Sequence, residues 1–400
     1  MVRAVVVGGG IAGSAAGMAL QAVGIEAIVL ESRTAGVGRG SWLTVAPNGV
    51  AALQEIGALE AVRSIGVPTR RNVMIGATGV PLGSIGLGRP LPDGTPALSF
   101  RRPELAEALA AEARRRGVDV RHEARVAAVE TTDRAAAVTL ETGARLEADV
   151  VVGADGIHSL VRRAVDPHAP AARYLGLANF GGITRSTGIA AQLPAEAWTF
   201  VFGRHAFFGA LPTPAGDVVW FVNEPRPVID RTERATTTDA AWQQHLEDLA
   251  AADAGPFAEL IAAGTLELVG DSTFDLPRLP TWSRGRLTLI GDAIHAPSPS
   301  SGQGASMALE DAVVLAACLS EQVEDSPAAA FAAFDNRRRR RVEKIVADGA
   351  RSSSSKTAGP VARIFQDRML RLVFRHFVTD KSQAWVHDYR ARLGTARATQ

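Results

Sequence analysis

The spacing of apolar and polar residues changes several times along the chain, and each change predicts an element. Residues 2–7 are almost continuously apolar, as in a strand buried on both faces, and glycines follow. A helix of small residues over 14–23 and a second strand over 27–30, ending at Glu31, complete a βαβ unit. No charge occurs from Ala4 to Ile25, which on hydropathy alone reads as a membrane span or a leader. Glycines at 8, 9, 10, 13 and 17 argue for strand, turn and helix instead. Further helices are expected over 47–56 and 102–116, hairpins over 73–99, and alternating strands over 119–149 with a turn at Thr142 and Gly143. Residues 150–152 return to a buried strand. From about 173 to 280 short apolar runs (198–202, 206–211, 218–222) are separated by Pro, Gly and Asp, predicting an antiparallel sheet with one helical stretch near 239–249. A strand over 287–290, a glycine turn and helices over 304–319 and 328–347 follow.

The expected fold is therefore α/β with a β-rich insert. A Rossmann-like domain comes from 1–72, 99–172 and 281–350, a mostly antiparallel sheet domain from 73–98 and 173–280, and a C-terminal helical segment from 351–400. Apolar residues make up 46% and charged residues 21%, with a formal net charge of +1, so no field directs the chain to nucleic acid. Cys318 is the only cysteine, which excludes an intrachain disulfide and a multi-cysteine metal site; a buried, inert thiol and a cytoplasmic setting are expected, with no metal. The run Arg337–Arg341 reads as a solvated helix face. Residues 361–377, apolar between basic positions, read as a helix packed across an interface and not as a membrane contact.

Three motifs carry chemistry. Gly8, Gly10 and Gly13 stand as G-x-G-x-x-G between a strand and a helix. Such a turn lets backbone approach a pyrophosphate, which Ile11 and Ala12 at the helix start would meet with free N–H groups. Glu31 is placed to accept bonds from an adenosine ribose and disfavours a 2′-phosphate, leaving FAD or NAD for this site. The second motif, Asp155 and Gly156 with Ser159, Arg162 and Arg163, follows the 150–152 strand; Asp155 also suits a helix cap. The third is Gly291, Asp292 and His295, with Pro299, Gly302, Gln303 and Gly304. Lying some 280 residues after the first, it can meet the far end of a long ligand: Asp292 suits a ribityl hydroxyl, and a helix start near Gly304 suits the flavin edge that gathers charge on reduction. Asp311 inside that helix reads as structural.

In that order the motifs resemble the class A flavoprotein monooxygenases of the para-hydroxybenzoate hydroxylase fold, over about residues 1–350. The resemblance implies a FAD-binding domain and a substrate-binding sheet domain. It implies cofactor contacts from Ser32, Arg33, Arg102, Val126, Pro299, Gly302 and Ala305 beside the glycines and acids above, with Arg101 leaving the arginine's register open. It also implies reduction of FAD by NADH or NADPH and transfer of one oxygen atom from O2, through a flavin C4a-hydroperoxide, to an apolar or aromatic small molecule. Hydroxylation and epoxidation both stay open, as does a monomer or a homodimer. Candidates for catalysis are few: His205, His295 and Pro299, with His295 read first as a packed loop histidine. Phe202, His205, Phe207 and Trp220 are candidate substrate contacts, and Phe180 and Phe208 plausible wall residues. No tyrosine pair, no W-x-W-x-I-P and no room for a thioredoxin-like C-terminal domain accompany them. A non-oxygenating FAD oxidoreductase and a flavin-binding redox or interaction protein are the alternative readings.

Overall fold

The computed structural model describes residues 2–36, 38–298, 301–322, 326–354 and 380–394. Arg3–Val7 lies at the centre of a six-stranded sheet, parallel to Glu26–Leu30 on one side and to Val150–Gly153 on the other. Leu287–Leu289 extends it beyond Val150–Gly153, Asp119–Arg121 beyond Glu26–Leu30, and only the edge strand Ser283–Arg284 runs antiparallel. The register fixes the architecture of the site. Leu30, Val7, Gly153 and Leu289 stand side by side at the carboxyl ends of four parallel strands. Glu31, the first glycine turn, the Asp155 loop and the Gly291 turn therefore leave the sheet along one edge, where open α/β sheets bind ligands.

The helices Ile11–Ala22 and Gly304–Gln322 pack against this sheet within one large apolar core. A second sheet of seven strands runs Thr265–Asp275, Arg173–Thr184, Val218–Pro225, Phe207–Pro212, Ala197–Phe202, Arg71–Gly76 and Pro81–Gly86. Its hairpin starts at Arg71, earlier than the expected boundary, because the ladder to Ala197 runs through polar Arg71 and Asn72, which hydropathy does not mark. Helices Arg231–Thr236 and Phe257–Ala262 accompany the expected Asp239–Ala251. Trp242, Leu246 and Phe257 cover one face of the sheet, against Phe180, Phe208 and Trp220. Alternation turns the next residues along each strand to the opposite face.

Two expectations change towards the C terminus. Helix Pro327–Ser354 runs through the expected boundary at 350, and a short helix, Asp380–His387, follows later; the segment 361–377 lies outside the described residues. The arginine run is only half solvated. Arg337 pairs outward with Glu321, Arg339 is half-buried over the Trp282 ring with Asp335 as partner, Arg338 is fully buried on Glu310 and Asp311, and Arg341 lies inward on Glu310. Helical geometry puts positions three apart on one face, and here that face meets two buried carboxylates.

Candidate active site

At the first turn, Gly8 has φ +104°, and a Cβ there would lie 2.4 Å from the Ala154 carbonyl oxygen. A Cβ on Gly13 would lie 1.7 Å from the Gly8 oxygen, so both glycines serve packing. Gly10 differs: a Cβ there meets nothing within 4 Å, and the residue lines a large cavity. It also starts helix Ile11–Ala22 with no side-chain cap and no acid in the first turn, leaving the positive end open to an anion. Glu31 accepts from Gly9 N–H at 2.8 Å and from Arg33 N–H at 2.9 Å, so it braces the glycine turn while bordering the cavity. Ser32 and Arg33 border it as well.

The other two motifs converge on the same space. Asp155 accepts from Leu160 and Val161 N–H at 2.7 and 3.1 Å and from the Ser159 hydroxyl, capping helix Leu160–Val165 from the cavity wall. Burial pushes its pKa above the ordinary value, against those bonds. Arg162, buried, donates to the carbonyls of Ile157 and Ala293 and ties this loop to the third motif; burial lowers its pKa. Asp292, Gly302, Gly304 and Ala305 line the cavity beside the start of helix Gly304–Gln322, which carries no acid in its first turn. Arg102 also lines it, whereas Arg101 pairs with Glu267 at 3.0 Å. Val126 and Gly156 complete the wall, while Gly291 and Gly13 stand behind it and Pro299 lies outside the described residues.

His295 does not face the cavity. It is 2% exposed, and its Nε2 is 2.6 Å from Asp311, which also accepts the Gly291 N–H at 3.0 Å and Arg338 Nε at 2.7 Å. Complete burial alone would raise the Asp311 pKa, but His295 and Arg338 beside it hold it at about 2. This cluster, with Glu310, Arg341 and Asn48, sits behind the turn, so His295 fixes the loop and is no base for a substrate. His205 is corrected too: it is exposed in the turn between Ala197–Phe202 and Phe207–Pro212, away from the cavity.

The cavity, about 2420 Å³, lies between the glycine turns and the seven-stranded sheet. That is well beyond the ~300–1,000 Å³ of a pocket for one small ligand, and leaves room for a long cofactor and a second molecule. Phe202 and Phe207 line it, joined by Phe200, Phe221 and Trp198, which sequence reasoning had not singled out. The i, i+2 spacing of Trp198, Phe200 and Phe202 was the available signal. Trp220 touches the cavity, but its ring is 2% exposed in the far-face core and its indole N–H donates to Thr184 at 3.0 Å; Phe208 packs on Phe257. From the C-terminal segment, Gln383, Trp385, Val386 and His387 also reach the wall, anchored by Arg341 on the Trp385 and Val386 carbonyls.

A pyrophosphate-ready helix end, a ribose-ready acid and a second acid and helix start on the same cavity fit FAD. The comparisons agree. Residues 1–349 match the family described as FAD binding domain. The chain belongs to that family, and within it to the class A flavoprotein monooxygenases. It is 32% identical over 364 residues to the 3-amino-4-hydroxybenzoate 2-monooxygenase PtmB3 of Streptomyces platensis, covering 86% of this chain and 85% of that protein. With a FAD-dependent urate hydroxylase of Klebsiella pneumoniae it shares 30% over 361 residues, 86% of this chain and 88% of that one. The crystal structure of Klebsiella pneumoniae HpxO complexed with FAD and uric acid superposes with TM-score 0.79 at 26% identity, covering 93% of each chain. A salicylate hydroxylase substrate complex, at 20% identity and TM-score 0.76 over 100% of this chain and 99% of that one, shares the fold. Among the described residues no helix is long and apolar enough to cross a membrane.

Proposed function

We propose that this chain is a FAD-dependent monooxygenase that uses NADH or NADPH and O2 to place one oxygen atom on an apolar or aromatic small molecule, by hydroxylation or epoxidation, in a cytoplasmic setting. One observation carries the reading: two glycine turns some 280 residues apart border one cavity whose opposite wall is an aromatic sheet face. FAD, when bound, supplies the electron transfer and the oxygen activation. The chain holds it and keeps water out. The N–H groups of Gly10, Ile11 and Ala12 would take the pyrophosphate, Glu31 the ribose and Asp292 the ribityl hydroxyls. The start of helix Gly304–Gln322, with Gly302 and Ala305 beside it, would set its positive end against negative charge on the ring. The phenylalanine face excludes water around the reacting centre. Neither His205 nor His295 lines the cavity, so no proton transfer is assigned to them, and the cofactor contacts and the phenylalanine face contribute binding, orientation and desolvation.

The test is spectroscopic. Purified protein should be yellow and release FAD on denaturation, and NADH or NADPH should bleach it without air, with the colour returning on aeration. A flavin that neither nucleotide reduces would refute the reading.

A further inference from the structure

Helix Pro47–Glu55 packs closely on the start of helix Gly304–Gln322. A Cβ on Gly49 would come within 2.8 Å of Ser306, and the Ser306 hydroxyl accepts from the Ala46 N–H at 3.0 Å. This approach puts Asn48, which has no exposed surface, between Glu310 and Gln303. Its Nδ2 donates to Glu310 Oε1 at 2.6 Å and to Gln303 Oε1 at 2.9 Å, while its Oδ1 is buried with no hydrogen-bond partner among the described residues. An orphaned buried acceptor is a cost to folding that an apolar side chain of similar shape would avoid. What the position keeps in return is the pair of donors.

The direction of those donors is fixed from behind. Glu310 accepts from Arg338 at 2.5 Å and from Arg341 at 2.8 and 3.0 Å, so its carboxylate only accepts. Asn48 must therefore turn its amide nitrogen towards Glu310, and the second hydrogen of that nitrogen falls to Gln303. Gln303 in turn presents its oxygen to Asn48, which aims its own Nε2 the other way. Gln303 is 4% exposed and lines the cavity between Gly302 and Gly304. Its Nε2 has no acceptor among the described residues and is open to that cavity. Two arginines behind the turn thus set the sense of one N–H donor inside the site.

Resting on the FAD-dependent reading of this cavity, we propose that Gln303 Nε2 donates to the flavin ring edge that gathers negative charge on reduction, and that Asn48 is the positioning residue that aims it there. The start of helix Gly304–Gln322 sets its positive end at that edge, and a side-chain N–H of fixed sense adds to it. A donor there stabilises the reduced flavin more than the oxidised one, so it raises the midpoint potential of the bound cofactor. An unrestrained amide could offer its oxygen instead; the Glu310–Asn48 contact removes that choice.

FAD-loaded protein is reduced without air by dithionite beside a redox dye, and the midpoint potential of the bound flavin is read from the two spectra. Gln303→Leu should hold the reduced flavin about tenfold less tightly relative to the oxidised form, a fall of about 30 mV for a two-electron couple. Gln303→Glu keeps the oxygen that Asn48 binds and puts a carboxylate oxygen where the N–H was, so its potential should fall further. Asn48→Leu should move the potential in the same direction, and the double variant with Gln303→Leu should lie no lower than Gln303→Leu alone. Asn48→Ala serves the same comparison should the leucine variant not fold. A purely structural role would change the melting temperature and leave the potential where it was. Wild-type potentials in the Gln303 variants, an unmoved potential in the Asn48 variants, or additive falls in the double variant would each overturn the proposal. Dithionite replaces the nucleotide and air is excluded, so a failure of nucleotide reduction or of oxygen transfer would strike the monooxygenase reading and leave this one standing.

Discussion

Arg338→Met tests the buried cluster behind the Gly291 turn. Arg338 has no exposed surface and donates to Asp311 at 2.7 Å, to Glu310 at 2.5 Å and to the Met307 carbonyl at 3.4 Å. Methionine fills much of the volume but leaves Glu310 with Arg341, and Asp311 with His295 and the Gly291 N–H. Removing one member of a buried ion pair costs about 3–5 kcal/mol, a large share of the roughly 5–15 kcal/mol that holds a domain folded. With a urea slope of about 3 kcal/mol/M for a protein of this size, the midpoint should fall by about 1 M or more. The deficit should depend on pH. In the wild type Asp311, held at about 2, contributes stability that is present above its ordinary pKa of 3.8 and lost only as pH falls through 2. Without Arg338 the bonds from His295 and the Gly291 N–H are left to oppose burial, so the Asp311 pKa rises and protonating it costs the variant less. The gap between wild type and Arg338→Met should therefore narrow from pH 7 to pH 4. Arg337→Met, on the exposed pair with Glu321, should change stability by less than about 0.5 kcal/mol. Equal midpoints for wild type and Arg338→Met, or a gap that does not change with pH, would refute the reasoning.

Gly10→Ala and Gly13→Ala should part company. The first adds a methyl where nothing lies within 4 Å, so the apoprotein should melt as the wild type does while FAD affinity drops at least about tenfold, measured by fluorescence titration. The second drives a methyl to 1.7 Å from the Gly8 oxygen and should lower the melting temperature of the apoprotein as well. Gly209→Val should displace Phe221 from the cavity wall, weakening binding of aromatic ligands with FAD retained, as flavin difference spectra would show. Cys318 is buried and its thiol pushed up by burial to about 11. At pH 8 it should resist iodoacetamide in the folded protein and react once urea unfolds it, as intact mass would report.

The glycine turns were legible because their requirement is local: strand, turn and helix start follow one another in sequence, and each glycine has a steric reason. Their meeting was legible only by inference, since it depends on the register that aligns Val7, Gly153 and Leu289. The wall of the sheet was half legible. Alternation separates Phe200, Phe202 and Phe207 from Phe208, but which set faces the cofactor depends on where the helices Asp239–Ala251 and Phe257–Ala262 pack. Asn223 and Asn179 become a pair only through strand pairing, and no local pattern marks them. His205 and His295 were attractive for their chemistry, but one lies in an exposed turn and the other is consumed by Asp311. Arg338 hid in a run of charge because composition does not say which helix face meets a buried acid.

The central claim is oxygen transfer at this cavity. Its most direct test is turnover of an aromatic substrate, found by screening for stimulated nucleotide oxidation, under labelled dioxygen in ordinary water, with product mass as the readout. The account predicts one labelled oxygen atom per product molecule, with NADH or NADPH consumption stimulated by the substrate. Product whose added oxygen comes from water, or nucleotide oxidation with no oxygenated product, would contradict it.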